Sequence, residues 1–550
     1  MGFLDTIKRW RLAREGLSSG KKRRVHLENP IVLALEESGW IKFSLYAMFA
    51  VLCATLVVRS ADGNLISDAS IKSALCGFVI AIMAVLMFHV SFQDSCRRNS
   101  RVILVLGGLI GHLLIAQMMM KLGDAQLSRF LLVPFALAPM LHGVLLGRGV
   151  ASFSAVFVTL IGCLLVPQAD IISYMIFSFI SGMTGVLLGY QVRRRLQLLQ
   201  AGFYVGAVTL VIGLILGRLD IAACFGADSM EHLKILGMGS AAAFGTAIAT
   251  VIIISGLLPV FEGAFHLTTD ISWLELSDLN HKLLRQMQLE APGTFHHSLI
   301  VAALAEAAAE KIGANAPMCR VCSYFHDVGK LKKPNYFIEN QHDGAENPHD
   351  NLTPTMSAMI IIAHVKDGVD LAVKNKLNPR IIDVIQEHHG DSLVYYFYRR
   401  AQEQKKAEME KVDRQLGNAE DLPKVEEKNF RYPGPRPSSR ESGIIALADM
   451  IESTSRTLKK PTPAKIRAMV EDLVCAKIND GQLDDCPLTI RELAILKDSF
   501  ASTLRSMLHS RIDYPKDKEK DEEPRSSVLA KRSAAQTSRA ERVVPMPKNR

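Results

Sequence analysis

Residues 321–330 read VCSYFHDVGK and place His326 and Asp327 side by side at the end of an apolar segment. An ionisable group on an apolar helix is costly unless it is hydrogen-bonded, paired or bound to a metal. Other apolar segments on both sides of this pair carry similar groups, namely His297, His364, His388, His389 and Asp449. One such histidine is usually a satisfied core residue, but seven ionisable groups within about 150 residues indicate a shared site.

The residue types indicate a metal centre. Five imidazoles and two carboxylates suit iron, manganese or zinc better than magnesium, which prefers an all-oxygen shell. Seven ligands exceed the needs of one ion with about four to six ligands, and they fit two ions that share a bridging carboxylate. Two ions roughly 3.5–4 Å apart are a common arrangement for in-line attack on phosphorus. The residues alone therefore predict a two-metal phosphohydrolase site.

Composition divides the 550 residues into two parts. Hydrophobic residues make up 49% and charged residues 22%, but residues 40–260 are mostly apolar and charges become frequent after residue 261. This distribution excludes a wholly soluble, a disordered or a simple secreted protein. Since a bilayer-spanning helix needs about 20 apolar residues, we expect eight spans, near 40–58, 73–92, 102–120, 130–147, 150–167, 171–190, 203–217 and 235–260.

Basic residues near the span ends predict the orientation. Residues 1–39 and the loops on the same side hold fifteen lysines and arginines, whereas the opposite side holds six. Because cytoplasmic loops carry the excess of basic residues, both termini are predicted to be cytoplasmic. The net charge of +9 is then partly a topology signal, and it does not indicate binding to a nucleic-acid polymer.

The whole chain is predicted to be all-α. A basic cytoplasmic segment at 1–39 precedes a helical membrane domain at 40–260. A connector helix at 261–295 leads to a helical domain at 296–514, which carries a charged insertion at 402–430. The tail at 515–550 is highly charged and is expected to be disordered.

The motifs HHS, HDVGK, IIAHV, EHHG and LAD, in this order, resemble those of an HD-domain phosphohydrolase. The longer strings APGTFHHSLIVA, YFHDVGKLKKPNYFIENQ and FRYPGPRPSSRESGIIALAD are similar to the seven-transmembrane HD family, whose characterised members are PgpH-type phosphodiesterases. The likeness runs from about residue 274 to 514. It implies a multi-pass protein of the plasma membrane whose cytoplasmic HD domain hydrolyses cyclic di-AMP to pApA.

The resemblance also implies roles for individual residues. Asp327 would bridge two divalent ions, iron or manganese, and Lys330 would contact a phosphate oxygen of the substrate. The remaining ligands fall into two sets, one for each ion: His297, His326 and Asp449 in the first, and His364, His388 and His389 in the second. These are the seven groups that the chemistry of the sequence selects.

Two further sequence features lie close to these seven residues. Glu452 follows Asp449 by one helical turn and is placed to orient a metal ligand. Cys319 and Cys322 form a CxxC pair just before the HD pair, but no second pair exists, so core packing is the expected role.

The sequence departs from the family between the first two spans. Characterised relatives carry a large extracellular domain there, whereas this chain has about 14 residues, RSADGNLISDASIK. Two alternative functions stay open: hydrolysis of another nucleotide, such as a deoxynucleoside triphosphate or an alarmone, and nucleotide binding without turnover by a membrane receptor. The expected partners are the lipid bilayer and a cyclic dinucleotide, and assembly into a homo-oligomer is left open.

Overall fold

The structure is a computed structural model of the chain. It describes residues 30–60, 68–122, 129–189, 192–221, 225, 229–341, 344, 346–413, 425–458 and 461–509. Among these residues the architecture is all-α, as predicted, and the β-structure is limited to an isolated bridge between Leu393 and Arg431. Residues 1–29, the centre of the charged insertion at 414–424 and the tail from residue 510 lie outside the described residues.

The described residues of the N-terminal half form ten α-helices. They are α1 (Pro30–Glu37), α2 (Gly39–Ser60), α3 (Asp68–Ser91), α4 (Gln93–Cys96), α5 (Asn99–Leu122), α6 (Leu137–Leu146), α7 (Arg148–Gly162), α8 (Ile171–Gly189), α9 (Arg195–Ile215) and α10 (Ser229–Phe265). Within the described residues, eight segments are long and apolar enough to cross a bilayer, which confirms the predicted number. They are Gly39–Val58, Ser70–Ser91, Asn99–Lys121, Arg129–Leu146, Arg148–Leu165, Gln168–Gly189, Arg195–Ile215 and Ser229–Phe265.

The seventh span differs from the expected short segment at 203–217. Its helix begins at Arg195, because the side chain of Gln197 accepts hydrogen bonds from the backbone N–H groups of Arg193 and Arg194. Those bonds satisfy donors that a helix start leaves free. Arg193 and Arg194 therefore directly precede the helix, and Arg195 is its first residue. The apolar span follows them directly.

Small residues bring α9 against the long last span, α10. A Cβ atom at Gly202 would lie 2.9 Å from Val251 Cγ2, and one at Gly206 would lie 2.8 Å from Phe244 Cδ1. Close approach through small residues is a common way for helices to associate in a bilayer, where no hydrophobic effect drives them together. This packing fixes the helix that leads to the C-terminal half.

Ten more α-helices lie in the described part of the C-terminal half. They are α11 (Asp270–Leu276), α12 (Lys282–Glu290), α13 (Pro292–Ile312), α14 (Ala316–Phe325), α15 (Pro354–Lys374), α16 (Pro379–Glu387), α17 (Tyr395–Asp413), α18 (Arg440–Ser455), α19 (Pro463–Asn479) and α20 (Ile490–His509). The core lies around α13, which packs against α14, α18 and α20. Its buried aromatic side chains include Trp273, Phe325 and Phe500.

The segment 261–295, expected as one connector helix, contains several elements. It holds the end of α10, the short helices α11 and α12, and the first turn of α13. The carboxylate of Glu262 ties α10 to α11, because it accepts bonds from Thr269 N and Ser272 Oγ, both at 2.7 Å. Helix α13 begins at Pro292, inside the expected connector, since proline is favoured in the first turn.

Candidate metal centre

The seven predicted ligands come together from five places in the C-terminal half. His297 lies on α13 and His364 on α15, while Asp449 lies on α18. The pairs His326-Asp327 and His388-His389 directly follow the last residues of α14 and α16. The ligand atoms form two groups, each within 4.8 Å, that share Asp327: one group adds His297, His326 and Asp449, and the other adds His364, His388 and His389.

Asp327 faces both groups with different oxygens. Its Oδ2 lies 3.3 Å from His326 Nε2 and 3.5 Å from His297 Nε2. Its Oδ1 lies 3.4 Å from His364 Nε2 and 3.8 Å from His388 Nε2. A carboxylate in this position has the orientation that a bridge between two ions requires.

Asp449 is the second carboxylate of the first group. Its Oδ1 lies 3.0 Å from His297 Nε2 and 3.8 Å from His326 Nε2. Its Oδ2 lies 3.9 Å from His389 Nδ1, so the same carboxylate reaches toward the second group. The two groups are therefore halves of one compact centre.

The outer nitrogens of four histidines have oxygen partners. Nδ1 of His326 lies 2.7 Å from the carbonyl oxygen of Ser323, and Nδ1 of His364 lies 2.6 Å from that of Ile361. The other two pairs are His388 Nδ1 with the carbonyl of Ile385 at 2.9 Å and His297 Nδ1 with Glu452 Oε2 at 2.5 Å. A carbonyl oxygen can only accept, so Nδ1 carries the proton and Nε2 is left as the donor atom for a metal.

The electrostatics of the centre require positive charge. Burial lowers the pKa of His326, but Asp327 and Asp449 outweigh it and raise that pKa to about 10. Burial opposes ionisation of Asp327, but Lys330 and His326 hold its pKa well below the usual range. In the second group burial dominates, and the pKa of His388 falls to about 3. Nearby cations would thus stabilise the ionised carboxylates of Asp327 and Asp449. The neutral imidazoles of the second group can act as metal ligands.

Unsatisfied atoms support the fit to metal ions. His326 Nε2 and Asp327 Oδ1 are buried, and neither has a hydrogen-bond partner within the part of the chain that the structure describes. Burying a polar atom without a partner costs free energy, and bound ions would satisfy both of these atoms. Imidazole nitrogens with two carboxylates also form a donor set that suits transition metals. The residues present therefore fit two divalent ions.

Lys330 lies at the edge of the centre in the short 3-10 helix Val328–Lys332. Its Nζ is 2.7 Å from Asp327 Oδ2 and 2.8 Å from Glu339 Oε1. Burial opposes a charge on Lys330, but the two carboxylates raise its pKa above the ordinary value. The ammonium group is therefore held charged beside the carboxylate that faces both groups.

Two residues near the centre were not predicted from the sequence. Glu339, which binds Lys330, also accepts a hydrogen bond from Thr294 Oγ1 at 3.0 Å, close to the start of α13. Tyr432 stacks on His389, with ring centroids 4.3 Å apart. The string RYPGPRP was a signal that a rigid segment exists, but the sequence does not reveal what the segment packs against.

The CxxC pair is packed in the core, as expected. Cys319 and Cys322 are both fully buried, and burial raises the pKa of each thiol well above its ordinary value. Both belong to the apolar cluster that also contains Phe325 and Phe500.

Comparison with known families agrees with this architecture. A family described as a 7TM receptor with intracellular HD hydrolase matches residues 69–269, which contain seven of the eight spans. The HD domain family matches residues 294–454, which contain all seven clustered ligands. The class is thus a polytopic membrane protein with an HD domain. The chain belongs to the family of seven-transmembrane receptors with an intracellular HD hydrolase domain.

Curated relatives are similar over much of the chain. It is 34% identical over 445 residues to the cyclic-di-AMP phosphodiesterase PgpH of Listeria monocytogenes serotype 1/2a (strain 10403S), covering 80% of this chain and 58% of the relative. It is 37% identical over 388 residues to the cyclic-di-AMP phosphodiesterase PgpH of Bacillus subtilis (strain 168), covering 70% of this chain and 51% of the relative. The chain therefore spans little more than half the length of these relatives.

A solved structure is similar to part of this chain. The crystal structure of the L. monocytogenes PgpH HD domain in complex with cyclic di-AMP has 40% sequence identity and a TM-score of 0.38. The match covers 42% of this chain and 99% of that chain.

Proposed function

We propose that this protein is a metal-dependent phosphodiesterase that hydrolyses cyclic di-AMP to pApA. The observation that carries the proposal is the position of Asp327, which turns one oxygen toward each of two groups of histidines. Two cations bridged by a carboxylate are suited to displacement at phosphorus. The choice of cyclic di-AMP is supported by the names of the two relatives, both cyclic-di-AMP phosphodiesterases.

The proposed cofactors are two divalent transition-metal ions, iron or manganese. Asp327 would contact both, one ion would take His297, His326 and Asp449, and the other would take His364, His388 and His389. When bound, such ions lower the pKa of a water molecule and neutralise charge on the phosphoryl group.

The side chains of this protein supply the rest of the chemistry. Lys330 remains charged, and its ammonium group would contact a phosphate oxygen as negative charge develops there. Glu339 holds that ammonium group in place at 2.8 Å. The histidine Nδ1 contacts keep the imidazoles from rotating, so the site requires little rearrangement when a substrate binds.

The proposed location is the plasma membrane, with both termini in the cytoplasm. The proposal is supported by the even number of candidate spans, which would leave the two ends of the chain on the same side, and by the excess of basic residues on that side. Reporter fusions at each terminus of the full chain test this orientation. Both fusions are expected to give a cytoplasmic signal, and an external signal from either one would overturn it.

Hydrolysis by the full-length protein in detergent tests the catalytic proposal. The protein is supplied with manganese or iron and incubated with cyclic di-AMP, other cyclic dinucleotides, a deoxynucleoside triphosphate and an alarmone. We expect cyclic di-AMP to be converted to pApA, and Asp327→Ala to be inactive. Preferential hydrolysis of another nucleotide would reassign the substrate, and binding without turnover by the metal-loaded protein would overturn the enzymatic role.

A further inference from the structure

The segment from Tyr432 to Ser438 runs beside the residues that contain His388 and His389. Tyr432 N donates to the carbonyl oxygen of Ser392, and Gly434 N donates to that of Gly390, both at 3.0 Å. These backbone bonds join parts of the chain that are about 40 residues apart, on either side of the charged insertion. The segment therefore forms part of the wall of the metal centre.

Side chains fasten the same segment at two further points. Ser438 donates to the buried carboxylate of Glu387 from both its backbone N, at 3.1 Å, and its Oγ, at 2.7 Å. Arg436 Nε donates to the carboxylate of Asp391 at 3.1 Å. Because Glu387 and Asp391 flank the two histidines, any group on this segment has a fixed position relative to them.

Tyr432 is the residue of this segment that enters the centre. Its ring stacks on His389 with an interplanar angle of 24°, and its ring centroid lies 6.0 Å from that of His364 in an edge-on arrangement. The residue is only 8% exposed. Two imidazoles of the second ligand group thus fix the plane of the phenol ring.

The hydroxyl group of Tyr432 is carried by a ring that contacts two residues of the centre, His389 and His364. Burial raises the pKa of Tyr432. The hydroxyl has no hydrogen-bond partner among the described residues, and it is not among the side-chain atoms sealed from solvent. It can therefore form a hydrogen bond with a bound molecule.

We infer that Tyr432 is a further catalytic residue, whose hydroxyl donates a hydrogen bond to a phosphate oxygen of the substrate. This inference rests on the proposed function, because it requires a phosphodiester at the metal centre. A fixed donor aimed at developing negative charge stabilises the transition state more than the ground state. Tyr432 would contribute from the segment that packs beside His389, and Lys330 would contribute from its position beside Asp327.

Two substitutions at Tyr432 separate its hydroxyl group from its ring. Tyr432→Phe removes only the hydroxyl, whereas Tyr432→Leu also removes the ring that stacks on His389. Tyr204→Phe is the control, because Tyr204 is an exposed tyrosine on the membrane helix α9. All three variants of the full-length protein are compared with the wild type for metal content and for hydrolysis of cyclic di-AMP and bis(p-nitrophenyl) phosphate.

The expected loss is specific to the hydroxyl. Tyr432→Phe should keep both metals and lose about 10-fold to 1000-fold in kcat/KM, the effect of one missing donor to developing charge. Tyr204→Phe should match the wild type. The inference is overturned if Tyr432→Phe stays within about twofold of the wild type while only Tyr432→Leu loses activity, since the ring alone would then matter. It is also overturned if Tyr432→Phe loses metal, since the effect would then be structural.

Bis(p-nitrophenyl) phosphate, the second substrate in this experiment, separates a failure of the proposed function from a failure of the role inferred for Tyr432. A wild type that cleaves bis(p-nitrophenyl) phosphate but not cyclic di-AMP would refute the proposed substrate, and the Tyr432 variants would still decide the role of the hydroxyl on that probe. A wild type with both metals bound that cleaves neither compound would overturn both proposals.

Discussion

His297 and Glu452 form a buried pair in which Nδ1 and Oε2 lie 2.5 Å apart. Arg456 holds the other oxygen of the same carboxylate, with its Nη2 2.7 Å from Glu452 Oε1. This arrangement fixes the imidazole so that Nε2 points at Asp449, 3.0 Å away. Glu452 therefore positions a ligand without itself joining either ligand group.

Replacing Glu452 should weaken metal binding. In Glu452→Gln the amide is a weaker acceptor for the imidazole and loses the charge that pairs with Arg456. Such partners of metal ligands are typically worth about 10-fold to 100-fold in metal affinity or activity. We expect metal titration to show weaker binding and excess metal to restore hydrolysis. Glu471→Gln, which removes an exposed pair with Lys497, is the control, and equal metal affinity in both variants would contradict the positioning role.

Replacing Asp327 should affect both ions together. Asp327→Ala removes one contact from each group and the negative charge that the two cations would share. We expect metal content to fall toward zero and hydrolysis to be abolished, as measured by elemental analysis and product assay. His364→Ala is the comparison, because it should chiefly weaken the second ion. Near-normal hydrolysis by a folded Asp327→Ala protein would refute the two-metal mechanism.

Replacing Lys330 should separate turnover from metal binding. Lys330 belongs to neither ligand group, although its Nζ lies 2.7 Å from Asp327 Oδ2. Lys330→Ala should therefore keep its metals, while turnover falls by about 10-fold to 1000-fold through the loss of one electrostatic contact. Metal stoichiometry and kcat are measured on the same preparation. Loss of metal in parallel with turnover would instead assign Lys330 a structural role.

The seven clustered residues could be found from the sequence because each is an ionisable group on an apolar segment. Burial of such a group is costly without a partner, so residues such as His364 and Asp449 stand out without any knowledge of contacts. The number of spans could also be predicted from the sequence, because a helix that crosses a bilayer requires a minimum length of apolar residues.

Tyr432 and Glu339 could not be found in this way. A tyrosine in a loop and a glutamate in a turn are ordinary in isolation. Their roles depend on pairing across long distances, of Tyr432 N with Ser392 and of Glu339 with Thr294.

The buried cysteines should be inert toward thiol reagents. Burial raises the pKa of Cys319 and Cys322, so both remain protonated at neutral and mildly alkaline pH, and the thiolate is the reactive form. We expect iodoacetamide to label the exposed Cys475 in the folded protein and to spare the pair until denaturant is added. Mass spectrometry of the cysteine-containing peptides measures this. Labelling of the pair before unfolding would argue for an accessible redox or metal role.

The last prediction concerns the contact between the connector and the helix that leads to His326 and Asp327. Asn315 caps α14 by accepting from Met318 N at 2.8 Å, and its Nδ2 donates to Asp270 Oδ1 on α11 at 3.2 Å. Burial raises the pKa of Asp270, and the bond from Asn315 opposes that shift. Asn315→Ala therefore removes a cap and also leaves a partly buried carboxylate without this donor.

A second cap variant isolates the contribution of the contact with Asp270. Thr462→Ala removes the cap of α19, whose side chain accepts from Lys465 N, at a site remote in sequence from the connector. Loss of a cap alone costs about 0.5–2 kcal/mol. We expect Asn315→Ala to lower the melting temperature of the full-length protein further than Thr462→Ala does, and to weaken metal binding, because α14 ends next to His326. Equal melting temperatures and unchanged metal affinity would show that the bond between Asn315 and Asp270 does not support the metal centre.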